Sequence, residues 1–371
     1  MEKKNIFENI LIISIVAILY IIPVSTIEGD NYNIFYYTRL IFIVFFLFLF
    51  LKRLKIRTHY LVFVAVFLFR FVIYKEVSFN LILLTSCIYI FDYLLEKDIN
   101  YDKINKIINI ASLVFLVQII ITMIYNKKIQ TTSLIGDNNY TGYFIFFLFI
   151  YFFYTKKKIW ILWFTLAMFT FSRATIIAVC IVLILGIIEK SKKIVIKKET
   201  SVKIVGTLVI LGQIIVIPIS YMFVQKFNNY DYTYTYVQGF QRLSNLMDNS
   251  NYFRFMVNIL AIKSFSPLNL LIGLKENTFE GINFVKGKTL FPHNTMLGLY
   301  IHFGMVVSFI YILKYIKLYK KCNNVSTIPI YLALITYQIF LGPSSFYGIE
   351  LLVFMLVIKG IDKYLEKKEN K

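Results

Sequence analysis

Apolar runs close to the roughly 20 residues that span a bilayer as a helix recur from one end of this 371-residue chain to the other. In lipid, every backbone N–H and C=O must find a partner inside the protein, so only helices and closed barrels cross a membrane. These runs are too long for barrel strands of about 10 residues. The expectation is therefore an all-α polytopic membrane protein of about 12 transmembrane helices, at 6–25, 37–51, 59–74, 78–95, 107–125, 139–154, 159–171, 174–188, 204–224, 294–313, 327–342 and 346–362. A hydrophobic content of 58%, with 37 Phe and 28 Tyr, is more than a soluble domain needs. The first run is longer than a signal-peptide core and lacks a small-residue cleavage site, which predicts a retained helix.

The formal net charge is +20. On a soluble protein that would suggest nucleic acid. Here the basic residues cluster in short loops between apolar runs, so the charge reads as topology and not as a nucleic-acid interface. With the N-terminus placed inside, 27 of the 40 Lys and Arg fall in inner segments. That is a positive-inside bias, and it predicts that both termini are cytoplasmic. Cys87 and Cys180 lie within apolar runs and Cys322 in a basic loop, which predicts buried thiols and no disulfide framework.

Residues 159–188 are apolar except for Ser172-Arg173. Lys156-Lys157-Lys158 precede this stretch and five lysines between 190 and 198 follow it. A single crossing would put one basic cluster outside, whereas a hairpin keeps both inside. The hairpin is expected, with Arg173 at its outward tip.

The whole chain, 1–371, reads as a single transmembrane domain. One long polar loop, 225–292, is inserted between the runs 204–224 and 294–313. This extracytoplasmic loop carries a surplus of positive charge on the side where few basic residues are expected, a pattern that long loops permit and that an anionic ligand would also explain. Tyr230, Tyr232, Tyr234 and Tyr236 alternate with polar residues, which predicts a short extended segment serving either as an interfacial aromatic belt or as a stacking surface for sugars. Asn249-Ser250-Asn251 opens an expected helix that Pro267 ends. Arg254 and Asn258 share one face of it, four residues apart. Phe253, Met256, Val257, Leu260 and Ala261 cover another, as in a helix lying on the membrane surface. Leu271–Lys288 reads as irregular. The loop closes on His293 and Asn294 at the head of the next run.

Arg173, the pair Arg242/Arg254 and His293 are thus all assigned to the outer face. Guanidinium forks bind phosphate oxygens bidentately, and a histidine transfers protons near neutral pH. That combination points to transfer from a phosphate-linked donor to a hydroxyl. No metal-ligand spacing, glycine-rich nucleotide loop or Walker motif is present, so no metal or other cofactor is expected.

Phe171-Ser172-Arg173-Ala174-Thr175 resembles the "SR" motif of bacterial O-antigen polymerases and ligases. Arg254, followed by Ser266-Pro267-Leu268 and Leu271-Ile272-Gly273, resembles that family's "R…P-L…G" stretch, without the tryptophan often found there. His293-Asn294 with Leu297 to Gly304 resembles its "HN…G" ending. The resemblance implies a GT-C-like membrane glycosyltransferase acting on undecaprenyl-diphosphate-linked oligosaccharide, a Wzy-like polymerase of capsular or O-antigen repeat units. It implies catalytic roles for His293, Arg254 and Arg173 and substrate contacts from Arg242 and Asn294; from the loop pattern itself, Tyr236 and Asn258 are the further expected substrate contacts. Its partners would be the lipid-linked glycan, the bilayer, a flippase and a chain-length regulator. An O-antigen ligase shares this site logic. A lipid-linked oligosaccharide flippase is the alternative of a different class, and a non-enzymatic sensor or assembly partner is a third. A flippase would carry charge along an intramembrane path, where the sequence offers little beyond Arg70, Gln118 and Gln213.

Overall fold

Long apolar stretches punctuated by caps and glycines produce helices and, among the described residues, nothing else. The computed structural model describes residues 9–16, 20, 44, 47, 57–97, 101–127, 129–133, 138–192, 198–227, 249–275, 292, 294–322, 328–340 and 348–369. In chain order the helices are α1 (residues 9–16), α2 (Thr58–Tyr74), α3 (Phe79–Leu95), α4 (Tyr101–Asn126), α5 (Asn138–Tyr154), α6 (Trp160–Phe169) and α7 (Arg173–Lys192). They continue with α8 (Lys198–Phe227), α9 (Asn249–Lys263), α10 (Pro267–Ile272), α11 (Thr295–Phe303), α12 (Met305–Lys321), α13 (Ile328–Phe340) and α14 (Ile349–Glu369).

Among the described residues two helices, Asp102–Asn126 and Lys198–Lys226, are long and apolar enough to cross a membrane, and only 39% and 22% of their apolar windows are buried. Large hydrophobic side chains stand exposed along α2 (Leu61, Val64, Leu68, Val72), α4 (Leu113, Ile120, Ile124) and α8 (Leu211, Ile214, Met222). By contrast, α5 is apolar and buried all round and forms the centre of the bundle.

The hairpin at 159–188 is present. Phe149 and Phe153 of α5 pack on Trp160 of α6, and Asn138 at the other end of α5 donates to the Thr170 carbonyl at 2.8 Å. So α6 runs antiparallel to α5. Gly142 of α5 abuts Thr175, and Gly186 abuts Phe153, so α7 runs parallel to α5. Two helices in opposite senses with Phe171 between them in the left-handed region (φ 51°) make a reversal whose tip carries Arg173.

Several expectations change. The run 294–313 is two helices, broken at Gly304 (φ 83°). The final helix continues beyond 362 to Glu369, and Lys367 near its end pairs with Asp102 at 3.2 Å. Pro267 ends one helix and, at the first position of α10 behind the Ser266 cap, begins another. The run 37–51, apart from Val44 and Leu47, lies outside the described residues. So do Tyr230 to Tyr236 and 276–291.

The loop helix α9 is more deeply engaged than a surface helix. Phe255 stacks on Phe223 with centroids 4.5 Å apart, Asn258 donates to Ser220 Oγ at 3.3 Å, and Ala261 packs with Val216. Rising numbers meet falling ones, so α9 runs back antiparallel along the last turns of α8. Its buried face is Phe255, Val257, Asn258, Ile259 and Ala261; of the expected stripe Val257 and Ala261 are buried, whereas Phe253, Met256 and Leu260 are half-buried.

Beyond α9 the chain is pinned to α2 chiefly by Arg70, with the Tyr74 hydroxyl donating to the Gly273 carbonyl at 2.8 Å. Arg70 is 0% exposed. It donates to the carbonyls of Ile272 at 2.6 Å, His302 at 2.8 Å and Leu274 at 3.0 Å, and it pairs with Glu76. Two glycines let the strands of backbone come this close. A Cβ on Gly304 would stand 2.3 Å from the Leu271 oxygen, and one on Gly273 (φ 78°) 2.7 Å from the Phe303 nitrogen. Gly304→Ala should therefore lower the thermal stability of the detergent-solubilised protein markedly, since left-handed strain alone costs about 1–2 kcal/mol. Gly206→Ala, whose Cβ meets only Ile316 at 3.7 Å, should leave it unchanged. Equal melting temperatures for the two variants would show that this crossing is not close-packed.

Candidate functional site

The tip of the α6–α7 hairpin is held from below by the segment ahead of α5. The Thr131 N–H donates to the Phe169 carbonyl at 2.8 Å, and Gln130 Nε2 and Asn138 Nδ2 both donate to that of Thr170. Ser172 and Arg173 follow at once. Ser172 is buried and Arg173 half-buried at the mouth of the bundle.

One turn into α7, Thr175 is fully buried against Gly142. A Cβ on Gly142 would fall 2.0 Å from Thr175 Oγ1, so the glycine makes room for the hydroxyl. On its other side Thr175 faces the Tyr337 hydroxyl of α13. The next residue, Gln338, accepts from Gln213 Nε2 of α8 at 2.9 Å. Its backbone carbonyl accepts from Asn294 Nδ2 at 3.2 Å. Two residues about 120 apart in sequence, Thr175 and Asn294, thus meet on consecutive residues of α13.

This meeting place is polar and incompletely paired. Thr175 Oγ1 and Tyr337 OH face each other, while among the described residues Thr131 Oγ1, Ser172 Oγ, Gln213 Oε1 and Thr295 Oγ1 are buried without a protein hydrogen-bond partner. Each such group costs about 1–3 kcal/mol. The set mixes donors and acceptors and is rich in hydroxyls, which suits a hydroxylated ligand or ordered water. Among the described residues no group of three His, Cys, Asp or Glu side chains gathers that could hold a metal ion.

Of the predicted site residues, Arg173 and Arg254 are half-buried. Arg254 lies on the first turns of α9, at the end of the bundle where α8 finishes, the same end as Arg173. Asn258 is turned inward on Ser220 and is 2% exposed. Asn294 is 0% exposed, and its side chain does structural work: Oδ1 caps α11 by accepting from the Leu297 N–H at 2.9 Å, while Nδ2 ties to α13. Tyr236, Arg242 and His293 lie outside the described residues.

Sequence reading passed over Tyr337, Gln338 and Glu350. Gln338 had a signal, being the sole amide in the run 327–342. Glu350, 1% exposed, accepts from the Tyr311 hydroxyl, which lies 3.1 Å from that of Tyr315. Tyr315 in turn neighbours Gln338, so hydroxyls link the candidate site to a core carboxylate. The chain matches no family model, no curated protein and no solved structure.

If Asn294 acts as a cap and tie, Asn294→Ser should retain most of the stability and Asn294→Ala should lose about 1 kcal/mol from the cap alone. The measurement is thermal unfolding of the purified variants. An Ala variant as stable as wild type would release Asn294 from this structural role.

Proposed function

We propose that the protein polymerises undecaprenyl-diphosphate-linked oligosaccharide repeat units of a capsular polysaccharide or O-antigen. The observation that carries the reading is the meeting of Thr175, two residues after Arg173, with the Asn294 cap on Tyr337-Gln338, beside buried hydroxyls such as Ser172 Oγ and Thr295 Oγ1 that have no protein partner among the described residues. His293 immediately precedes Asn294 in sequence, so the cap anchors the backbone next to it. The reading places about 12 helices of a GT-C-like bundle in the bacterial plasma membrane, with the hairpin tip outside and both termini cytoplasmic. The gathering of Arg57, Lys97, Lys157, Lys317, Lys359 and Lys367 around α3 and α4 at the opposite end supports that orientation.

In the proposed reaction an acceptor hydroxyl attacks the anomeric carbon of the donor glycan. The carbon–oxygen bond to the diphosphate breaks, and the lipid diphosphate departs with the bonding electrons. His293 takes the hydroxyl proton. Arg173 and Arg254, with Arg242 assisting, balance charge that grows on the diphosphate as the bond breaks. That interaction is stronger in the transition state than in the ground state. No metal is needed for this step.

A flippase is less well supported. The buried basic groups Arg70 and Lys314 are tied to carbonyls and carboxylates near the two ends of the bundle and do not line a path. A ligase would use the same residues on a different acceptor.

The test is glycan length on gels from a deletion strain restored with wild type or His293→Ala. A ladder with wild type, and single repeat units with the variant at equal membrane level, is the expected result. A ladder with His293→Ala removes His293 from the chemistry. Polymer accumulating on its lipid carrier in the deletion strain would show a ligase instead. Arg173→Lys should fail nearly as completely as Arg173→Ala, because a bidentate contact is lost with the fork. A fully active Lys variant would show that charge alone suffices.

A further inference from the structure

A line of hydrogen-bonding groups crosses the bundle from α14 to α8, and its chemistry allows one direction. Glu350, buried on the first turn of α14, accepts at Oε1 from the Tyr311 hydroxyl of α12. That commits the only hydrogen Tyr311 has to give. The Tyr315 hydroxyl, one turn on and 3.1 Å away, therefore gives its own hydrogen to Tyr311. With that hydrogen spent, Tyr315 can only accept from its other neighbour, the Gln338 side chain of α13. It meets the Nε2 end of the amide, which donates. The Oε1 end then faces α8 and takes the Gln213 Nε2–H at 2.9 Å. Reversing Gln338 would set its oxygen against the spent oxygen of Tyr315. The two ends of an amide are alike in shape, so it is this line of partners that orients both glutamines.

Gln213 is thereby turned with Oε1 as its free end. That oxygen is buried and has no protein partner among the described residues. Gln213 lies one turn before Val216, which packs with Leu297 and Tyr300 of α11. Gln338 also holds Asn294 through its backbone carbonyl. Thr295 Oγ1, next along the chain, is likewise buried and unpartnered among the described residues. The bare acceptor therefore belongs to the candidate site, where α8, α11 and α13 meet.

We propose that Gln213 is a substrate-binding residue whose Oε1 accepts a hydrogen bond from a sugar hydroxyl of the glycan. Glu350, acting through Tyr311, Tyr315 and Gln338, is the positioning residue that keeps this acceptor presented. The inference deepens the polymerase reading and rests on it. It gives this part of the site a sign. A hydroxyl hydrogen is attracted there, whereas a uronate carboxylate or a phosphate oxygen is repelled and is left to Arg173 and Arg254.

The test is polymerisation in vitro by the full-length protein in detergent, with the lipid-linked single repeat unit extracted from the deletion strain as substrate. Melting temperature is recorded for each variant. Gln213→Leu, close in size and without a polar atom, should raise KM about fivefold, the worth of one neutral hydrogen bond, with kcat little changed. Tyr315→Phe removes the hydroxyl that orients Gln338 and should raise KM in the same direction. Both act on one oxygen, so the double variant should have a KM no higher than Gln213→Leu alone. Amides that serve only to hold α8 to α13 would lower the melting temperature and leave KM unchanged. Wild-type KM in Gln213→Leu, or two KM effects that multiply in the double variant, overturns the inference and leaves the polymerase reading intact. If Gln213→Leu does not fold, Tyr315→Phe decides alone: a raised KM upholds the inference and a wild-type KM overturns it. Wild-type protein that leaves the repeat unit single removes the polymerase reading and this inference together.

Discussion

A single guanidinium closes the ends of two helices. Helix termini leave carbonyls without intrahelical partners, and α10 and α11 both stop in the protein interior, at Gly273 and Gly304. Arg70 supplies the missing donors to Ile272, Leu274 and His302, and Glu76 balances its charge. A buried arginine without such partners would be very costly. Here it replaces several caps at once and fastens the end of the polar loop to α2. The spacing of Pro267, Gly273 and Gly304 in the sequence is accounted for by this crossing, where only glycine admits the neighbouring backbone.

The two ends of the bundle treat polar groups differently. Around Asp92 every strong donor has a strong acceptor, and α2, α3 and α12 are held together by ion pairs. Around Thr175 and Gln338, buried hydroxyls and the Gln213 amide oxygen lack protein partners among the described residues. The first arrangement stabilises the interface of three helices. The second leaves hydrogen-bonding capacity beneath Arg173, which is where a polar substrate would have to make its contacts. The proposed function uses the end with the unpaired groups.

The sequence by itself determined that the chain is helical, where most helices lie, that residues 159–188 reverse at Arg173, and that basic segments share one end. These follow from local quantities, the length of an apolar run and the charges that flank it, and lipid leaves the backbone few alternatives. It also marked Arg173 and Asn294 as residues worth finding. Only the tertiary structure decided that the run 294–313 breaks at Gly304, that Asn258 turns inward onto Ser220, that Asn294 is spent on a cap, and that Tyr337 and Gln338 join the two motifs. Helices such as α5 are apolar on every side, so no amphipathic stripe records which neighbour covers which face. Whether an apolar surface meets lipid or another helix, and which polar group meets which across the gap, depends on partners distant in the chain that no local pattern encodes.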